Sequence, residues 1–215
     1  MFQPLTLAIG LRYTRAKRRN HFISFISLAS MIGIAVGVAA LIIVISVMNG
    51  FEREMRGRIL SMVSHATIAG VDGPLYDWIT VLERAREHPE VVAAAPYVEG
   101  EALVQGRAVS GALVRGIDPA MEATVSEVAT QVKTGSLDAL VPGEYGVVIG
   151  NELAWKLGAD LGDKITVYAP QTRSTPAGLV PTVRRFTVVG IFEVGMYEYD
   201  SGLILMHWAD AQRLY

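Results

Sequence analysis

Hydrophobic and polar positions divide this chain into two regimes that meet near Phe51. From Asn20 to Phe51 no residue carries a fixed charge, and Ile23–Met48 is almost wholly apolar or small. At about 1.5 Å per residue, Ile26–Met48 predicts a helix of roughly 34 Å, enough to cross a hydrocarbon core of ~30 Å with some tilt. Runs such as Ala39-Ala40-Leu41-Ile42-Ile43-Val44-Ile45 favour insertion, with no Asp, Lys or Arg to oppose it. A transmembrane helix over 21–50 is the expectation. Asn49-Gly50 is a place for a helix to stop or kink. Beyond it Phe51, Met55, Ile59 and Met62 recur every three or four residues opposite mixed charges, which predicts a stalk over 51–63.

From Ser64 onward the pattern is that of a mixed α+β domain, 64–215. His65–Ala69 reads as a strand, and Val71–Pro74 as a turn. Trp78–His88 reads as an amphipathic helix with Trp78, Val81, Leu82 and Ala85 on its apolar face, ending before Pro89. Val91–Leu103 and Arg107–Gly116 read as strands about a turn near Gln105-Gly106, and Met121–Lys133 as a helix. Tyr145–Ile149 is a strand feeding a helix at Asn151–Leu157. Gly158–Asp163 is a turn and Lys164–Ala169 a strand. An interruption follows at Pro170–Pro181, then strands at Arg185–Glu193 and Gly202–Leu205 and a helix from Trp208.

Charge sets the orientation. The 215 residues carry a net −2, but Met1–Asn20 holds Arg12, Arg15, Lys17, Arg18 and Arg19 and no acid, so that segment is +5 and the rest −7. Positive flanks stay in the cytoplasm, which predicts a cytoplasmic N-terminus and an exported main domain; in a bacterium, whose inner membrane the span would cross, that domain is periplasmic. Pro4–Arg19 reads as an interfacial amphipathic segment, with Leu5, Ile9 and Tyr13 on one face. Beside a span, that basic cluster needs no nucleic acid to explain it. Val38-Ala39-Ala40 resembles a signal-peptide cleavage site, but cutting there would leave a greasy new terminus, so an uncleaved anchor is favoured. The lack of cysteine fits either compartment.

Candidate chemistry is sparse. The four histidines are scattered without carboxylates at ligand spacing, so no metal site is expected. Gly158–Lys164 fails the spacing of a phosphate loop, and no serine has the surroundings of a nucleophile elbow, so nothing supports an enzyme. Two binding features stand out instead. Ala29, Gly33 and Gly37 recur every four residues in the span, where small residues let a second helix approach. Pro170–Pro181 is long for a link between strands that would pair as a hairpin. Three prolines stiffen it, Leu179 and Val180 lie near its tip, and Arg173, Arg184 and Arg185 surround it without an acid between Lys164 and Glu193. This is the pattern of a docking protrusion.

Gly10-Leu-Arg-Tyr13, Ser46-Val-Met-Asn-Gly-Phe-Glu-Arg-Glu54, Gly116-Ile-Asp-Pro119 and the helix–turn–strand Gly150–Val167 carry a resemblance that covers essentially the whole chain. The sequence is similar to the membrane subunits of lipoprotein-releasing ABC transporters, the LolC/LolE family within the MacB/FtsX-like permeases. The resemblance implies a MacB-like periplasmic core and a mechanotransmission-type subunit that extracts outer-membrane lipoproteins from the inner membrane. Its implied partners are a second membrane subunit, a LolD-like cytoplasmic ATPase dimer that holds the ATP and Mg, and the periplasmic chaperone LolA. No cofactor on this chain is implied. By position, Val44, Val47, Met48 and Phe51 match the part of the first helix that contacts lipoprotein acyl chains. Arg173, Thr175, Pro176, Ala177, Gly178, Leu179, Val180, Pro181 and Arg184 match the chaperone-binding hook, a hairpin over 170–185. Ala177 stands where a bulkier apolar residue is usual, and Val183 where a polar one is. Members continue into further transmembrane helices, so this sequence is expected to be their N-terminal part. The alternatives are a related MacB/FtsX-type permease for another substrate and a membrane-anchored periplasmic interaction module.

Overall fold

The computed structural model describes residues 9–10, 12, 21–62, 64, 66–71, 73–175 and 178–215, and within these gives the backbone alone for 21–24, 58–62, 171–175 and 178–181. It divides into two compact units, Met1–Met55 and Arg56–Tyr215.

Most of the first unit is one helix, α1 (His21–Met62), 42 residues long and hence about 63 Å, whose last turns belong to the second unit. Phe25–Gly57 has the length and composition of a membrane span, with a mean hydropathy of 2.8 and none of its apolar window buried. Asn49-Gly50 does not end it. Glycine costs a helix only about 1 kcal/mol, and strong helix formers resume at Phe51. Span and stalk are therefore one helix. Of the expected N-terminal segment, Ile9, Gly10 and Arg12 are described and helical, while Leu5, Tyr13, Arg15 and Arg19 lie outside the described residues.

In the second unit, residues 66–70 form no strand, because no described strand borders them. Helix α2 (Trp78–Arg86) follows, with the expected face of Trp78, Val81, Leu82 and Ala85 half-buried and no residue fully buried. Trp78 meets Trp208 edge to face at 5.8 Å, and Arg86 Nη2 donates to the Ala94 carbonyl at 2.9 Å.

Seven strands make the sheet: β1 (Tyr97–Gln105), β2 (Val109–Ile117), β3 (Val132–Gly135), β4 (Gly146–Gly150), β5 (Lys164–Thr175), β6 (Gly178–Phe192) and β7 (Leu203–His207). Their order is β3-β6-β4-β7-β2-β1-β5, and β5 also pairs with β6, so six strands close on themselves with β3 attached outside. Strand directions are consistent around the ring: β2–β7 and β4–β6 are parallel and the other pairs antiparallel. Alternate residues face inward. Val104, Val114, Val147, Ile149, Ile165, Val167, Phe186, Val188, Ile204 and Met206 form one buried core, joined by Leu153 and Leu157 and by Ala211 and Leu214 of the flanking helices. Burying one such large side chain contributes about 1.5–3 kcal/mol. A second core, with Ile117, Val148, Phe192, Leu203 and Leu205, lies on the other face under the 128–140 segment.

Several expectations needed correction. Residues 91–96 are not strand. The helix expected over Met121–Lys133 is three elements: α3 (Pro119–Val125), a 3-10 turn at Val128–Gln131 and strand β3. Asp118 caps α3 by accepting from the Ala120 and Met121 amides, with Pro119 in the first turn. Ser126 stops it in extended geometry, its hydroxyl donating to Glu122 Oε1 at 2.7 Å. Helix α4 (Asn151–Leu157) has the expected bounds and ends on left-handed Gly158. Helix α5 (Tyr197–Gly202) was not expected. It folds back because the buried Asp200 carboxylate accepts from the Val194 and Gly195 amides at 2.8 and 2.9 Å. Helix α6 (Trp208–Leu214) lies on β2 where Gly116 leaves room for Ala211 and Trp208. Asp210 anchors it, fully buried and accepting from the Gly143 amide at 2.9 Å. Burial, with Glu101 nearby, pushes the Tyr215 phenol up to about 12, so its hydroxyl stays protonated to donate to the Glu101 carbonyl.

A Cβ at Gly150 would fall on the backbone of Asp200, which cannot yield without disturbing the α5 turn, whereas Gly202 faces open space. Gly150→Ala is expected to destabilise the domain by about 1–3 kcal/mol in urea unfolding, and Gly202→Ala to lie within about 0.5 kcal/mol of wild type. Equal midpoints for the two variants would refute this account of the α4–α5 contact.

Candidate functional site

The resemblance points to two places, the membrane helix and the β5–β6 hairpin. On the helix, Val44, Val47, Met48 and Phe51 are 58%, 63%, 61% and 62% exposed. At about 100° per residue all four fall within an arc of about 100°. Ala29, Gly33 and Gly37 fall within the same arc. The face that is smooth in one half of the span is thus the face that carries bulky, adaptable side chains in the other. A close-packing surface and a pliable apolar surface share one stripe.

The hairpin departs from the expected interruption, because the ladder continues through it. Lys164↔Thr187 to Ala169↔Thr182 form the base, and Thr172↔Pro181, Arg173↔Val180, Ser174↔Leu179 and Thr175↔Gly178 form an outer arm. Pro176 and Ala177, between the last pair, lie outside the described residues, and the side chains of the arm are likewise not described. The arm projects. β1 accompanies β5 only at Thr166–Tyr168, and β4 accompanies β6 only from Thr187. Prolines are tolerated in such a ribbon because each strand has an edge without a neighbour, where a missing N–H breaks no ladder.

Arg184, opposite Val167, is exposed just below the arm, as are Val183 and Arg185. One surface escaped sequence reasoning. Leu103, Tyr168 and Val183 sit on one level across three adjacent strands, with Leu103 55% and Val183 41% exposed. The Tyr168 hydroxyl donates to Gln105 Oε1 at 2.6 Å. They make an apolar row at the foot of the arm, and its only signal in the sequence was an apolar residue at outward-facing strand positions.

A cleft of about 490 Å³ lies beside α2, lined by Ile68, Val81, Arg84, Ala85, His88 and Val91 among others. Three of its polar side chains serve local turns. Asp77 accepts from the Thr80 hydroxyl and His88 Nδ1 from the Glu90 amide, so they do not converge on a ligand. Among the described residues, no three His, Asp or Glu are placed to hold a metal ion. The Gly158–Asp163 turn binds back on the sheet, with the Asp163 carbonyl accepting from Val188 and the Val188 carbonyl from Gly162, each at 2.8 Å.

Comparison with known proteins identifies relatives of the chain. The chain is 50% identical over its whole length to the lipoprotein-releasing system transmembrane protein LolC of Xylella fastidiosa (strain Temecula1), covering 52% of that protein. It is 32% identical to LolE of Haemophilus influenzae over 91% of this chain and 48% of that one. It therefore spans about half the length of the curated relatives it matches. The crystal structure of the periplasmic region of MacB from Actinobacillus actinomycetemcomitans overlaps 69% of this chain and 59% of its own at 14% identity, with a TM-score of 0.42. The family described as the MacB-like periplasmic core domain matches residues 27–215, from within the membrane helix to the last residue. The chain belongs to the MacB-like periplasmic core domain family.

Proposed function

We propose that this chain acts within a LolC/LolE-type membrane subunit of an ABC transporter that lifts lipoproteins from the inner membrane and passes them to the periplasmic chaperone LolA. The observation that carries the reading is the β5–β6 arm, a proline-stiffened ribbon beyond the sheet with Arg184 and Arg185 exposed at its foot. The 50% identity to a LolC protein across the whole chain supports it. The hook residues Arg173, Thr175, Pro176, Ala177, Gly178, Leu179, Val180, Pro181 and Arg184 dock the chaperone. Cations beside an apolar tip steer an acidic partner and then hold it by burial.

Val44, Val47, Met48 and Phe51 meet the acyl chains of the cargo, and Ala29, Gly33 and Gly37 pack against a helix of the second membrane subunit. Because the two sets share one stripe, cargo and partner helix lie on the same side of α1. The N-terminus is cytoplasmic and the sheet domain periplasmic, as the +5 flank before the span favours. ATP is hydrolysed by a separate LolD-like ATPase dimer, which carries the Mg.

Deleting Arg173–Val180 from the full 215-residue chain in detergent micelles removes only arm residues, so near-ultraviolet circular dichroism is expected to stay unchanged. Affinity for purified LolA is expected to fall at least tenfold, a loss of about 1.4 kcal/mol. Undiminished LolA binding would overturn the docking role. In membranes, a Ser30→Cys chain is expected to cross-link oxidatively to a cysteine in the partner subunit's first helix. Adding Gly33→Leu and Gly37→Leu is expected to cut the yield severalfold, and an unchanged yield would refute the packing face.

A further inference from the structure

The register of the β5–β6 ladder breaks at one place, between Ala169↔Thr182 and Thr172↔Pro181. Two residues of β5, Pro170 and Gln171, have no counterpart on β6. Two further observations fall at the same level. Pro170 and Pro181, one on each strand, carry no N–H and stand within one rung of the break. Third-strand support has also run out, since β1 accompanies β5 only as far as Tyr168 and β4 accompanies β6 only from Thr187. Directly below the break the ladder is firm, with Ala169 1% and Thr182 6% exposed.

We propose that the Pro170–Gln171 bulge, faced by Pro181, is a joint that aims the outer arm and lets it swing as a unit on a fixed base. This rests on the docking role given to the arm and says how that role is served. Extra residues in one strand bend a ladder and increase its twist. Two extra residues, unlike one, preserve the alternation of faces, so the arm is turned without exchanging its two sides. The bulge is thus a change of direction at constant face. A two-stranded ribbon is marginal alone, and with no third strand beside the break its direction is held weakly. A partner that engages the tip then selects among directions instead of meeting one fixed pose. Four residues per strand at ~3.3 Å make an arm of about 13 Å, so each ten degrees of tilt at the joint moves the tip by about 2 Å.

The chain contains no cysteine, so paired spin labels can be placed through Ser174→Cys on the arm and Lys133→Cys on the exposed edge strand β3. Distance distributions would be measured on the full chain in detergent by pulsed electron paramagnetic resonance. Wild type is expected to give a broad distribution. Deleting Pro170 and Gln171 is expected to shift the mean by about 4 Å or more and to narrow it, the equivalent of about 20 degrees of tilt along such an arm. A distribution for the deletion that superposes on wild type would overturn the joint. With purified LolA as probe, the deletion is expected to weaken binding about tenfold although every residue from Arg173 to Pro181 remains. If removing Arg173–Val180 leaves LolA binding intact, the docking role fails while the distance measurement still decides the joint.

Discussion

One strand constrains this domain more than any other element. β6 runs fifteen residues, pairs with β4 and β3 along its second half and with β5 along its first, and by joining β5 to β4 it closes the sheet. Remove that closure and the inward row of Ile165, Val167, Phe186 and Val188 loses its enclosure, and the arm loses its base at the same stroke. The projecting arm and the core are therefore one piece of covalent structure read at two levels. Stability at Phe186 and orientation at Pro181 depend on the same hydrogen-bonded ladder.

The membrane helix obeys a different constraint. With none of its apolar window buried in the protein, Phe25–Gly57 gains nothing from hiding apolar surface from itself. What remains to give it specificity is shape. A stripe that is smooth at Ala29, Gly33 and Gly37 and bulky at Val44, Met48 and Phe51 allows a neighbour to approach closely at one level and holds it off at the other. A gap left beside the bulky half of such a stripe would be apolar and pliant, a matter of volume more than of hydrogen bonds.

Much of this was legible in the residues. The α4 helix was clear because Gly158 punctuates its end in left-handed geometry, and the half-buried face of α2 followed from spacing alone. The helix α5 was not, since six residues are too few to display a period and its fold-back depends on a carboxylate, Asp200, reaching two backbone amides. The region from 121 to 133 misled because apolar spacing continued past Ser126, whose hydroxyl and extended backbone end the helix. At the hairpin, the stretch Pro170–Pro181 reads as an interruption between two strands. That inference holds inside a sheet and fails on a free ribbon, where half of the backbone donors have no partner to lose. Sequence therefore located the candidate site, but its extension as a ladder with a broken register depended on where neighbouring strands stop.

The edge-to-face contact of Trp78 with Trp208 carries a consequence of a different sort. The chain has three tryptophans, and the third, Trp155, stands 81% exposed on α4. Two indoles are thus locked to each other across the junction of α2 with the sheet, and the other is bathed in solvent. Intrinsic emission from the domain is expected to divide accordingly into a solvent-relaxed component from Trp155 and a second from the pair, and a tilt of α2 to alter the second alone, so that the protein would report on its own internal geometry without an added label.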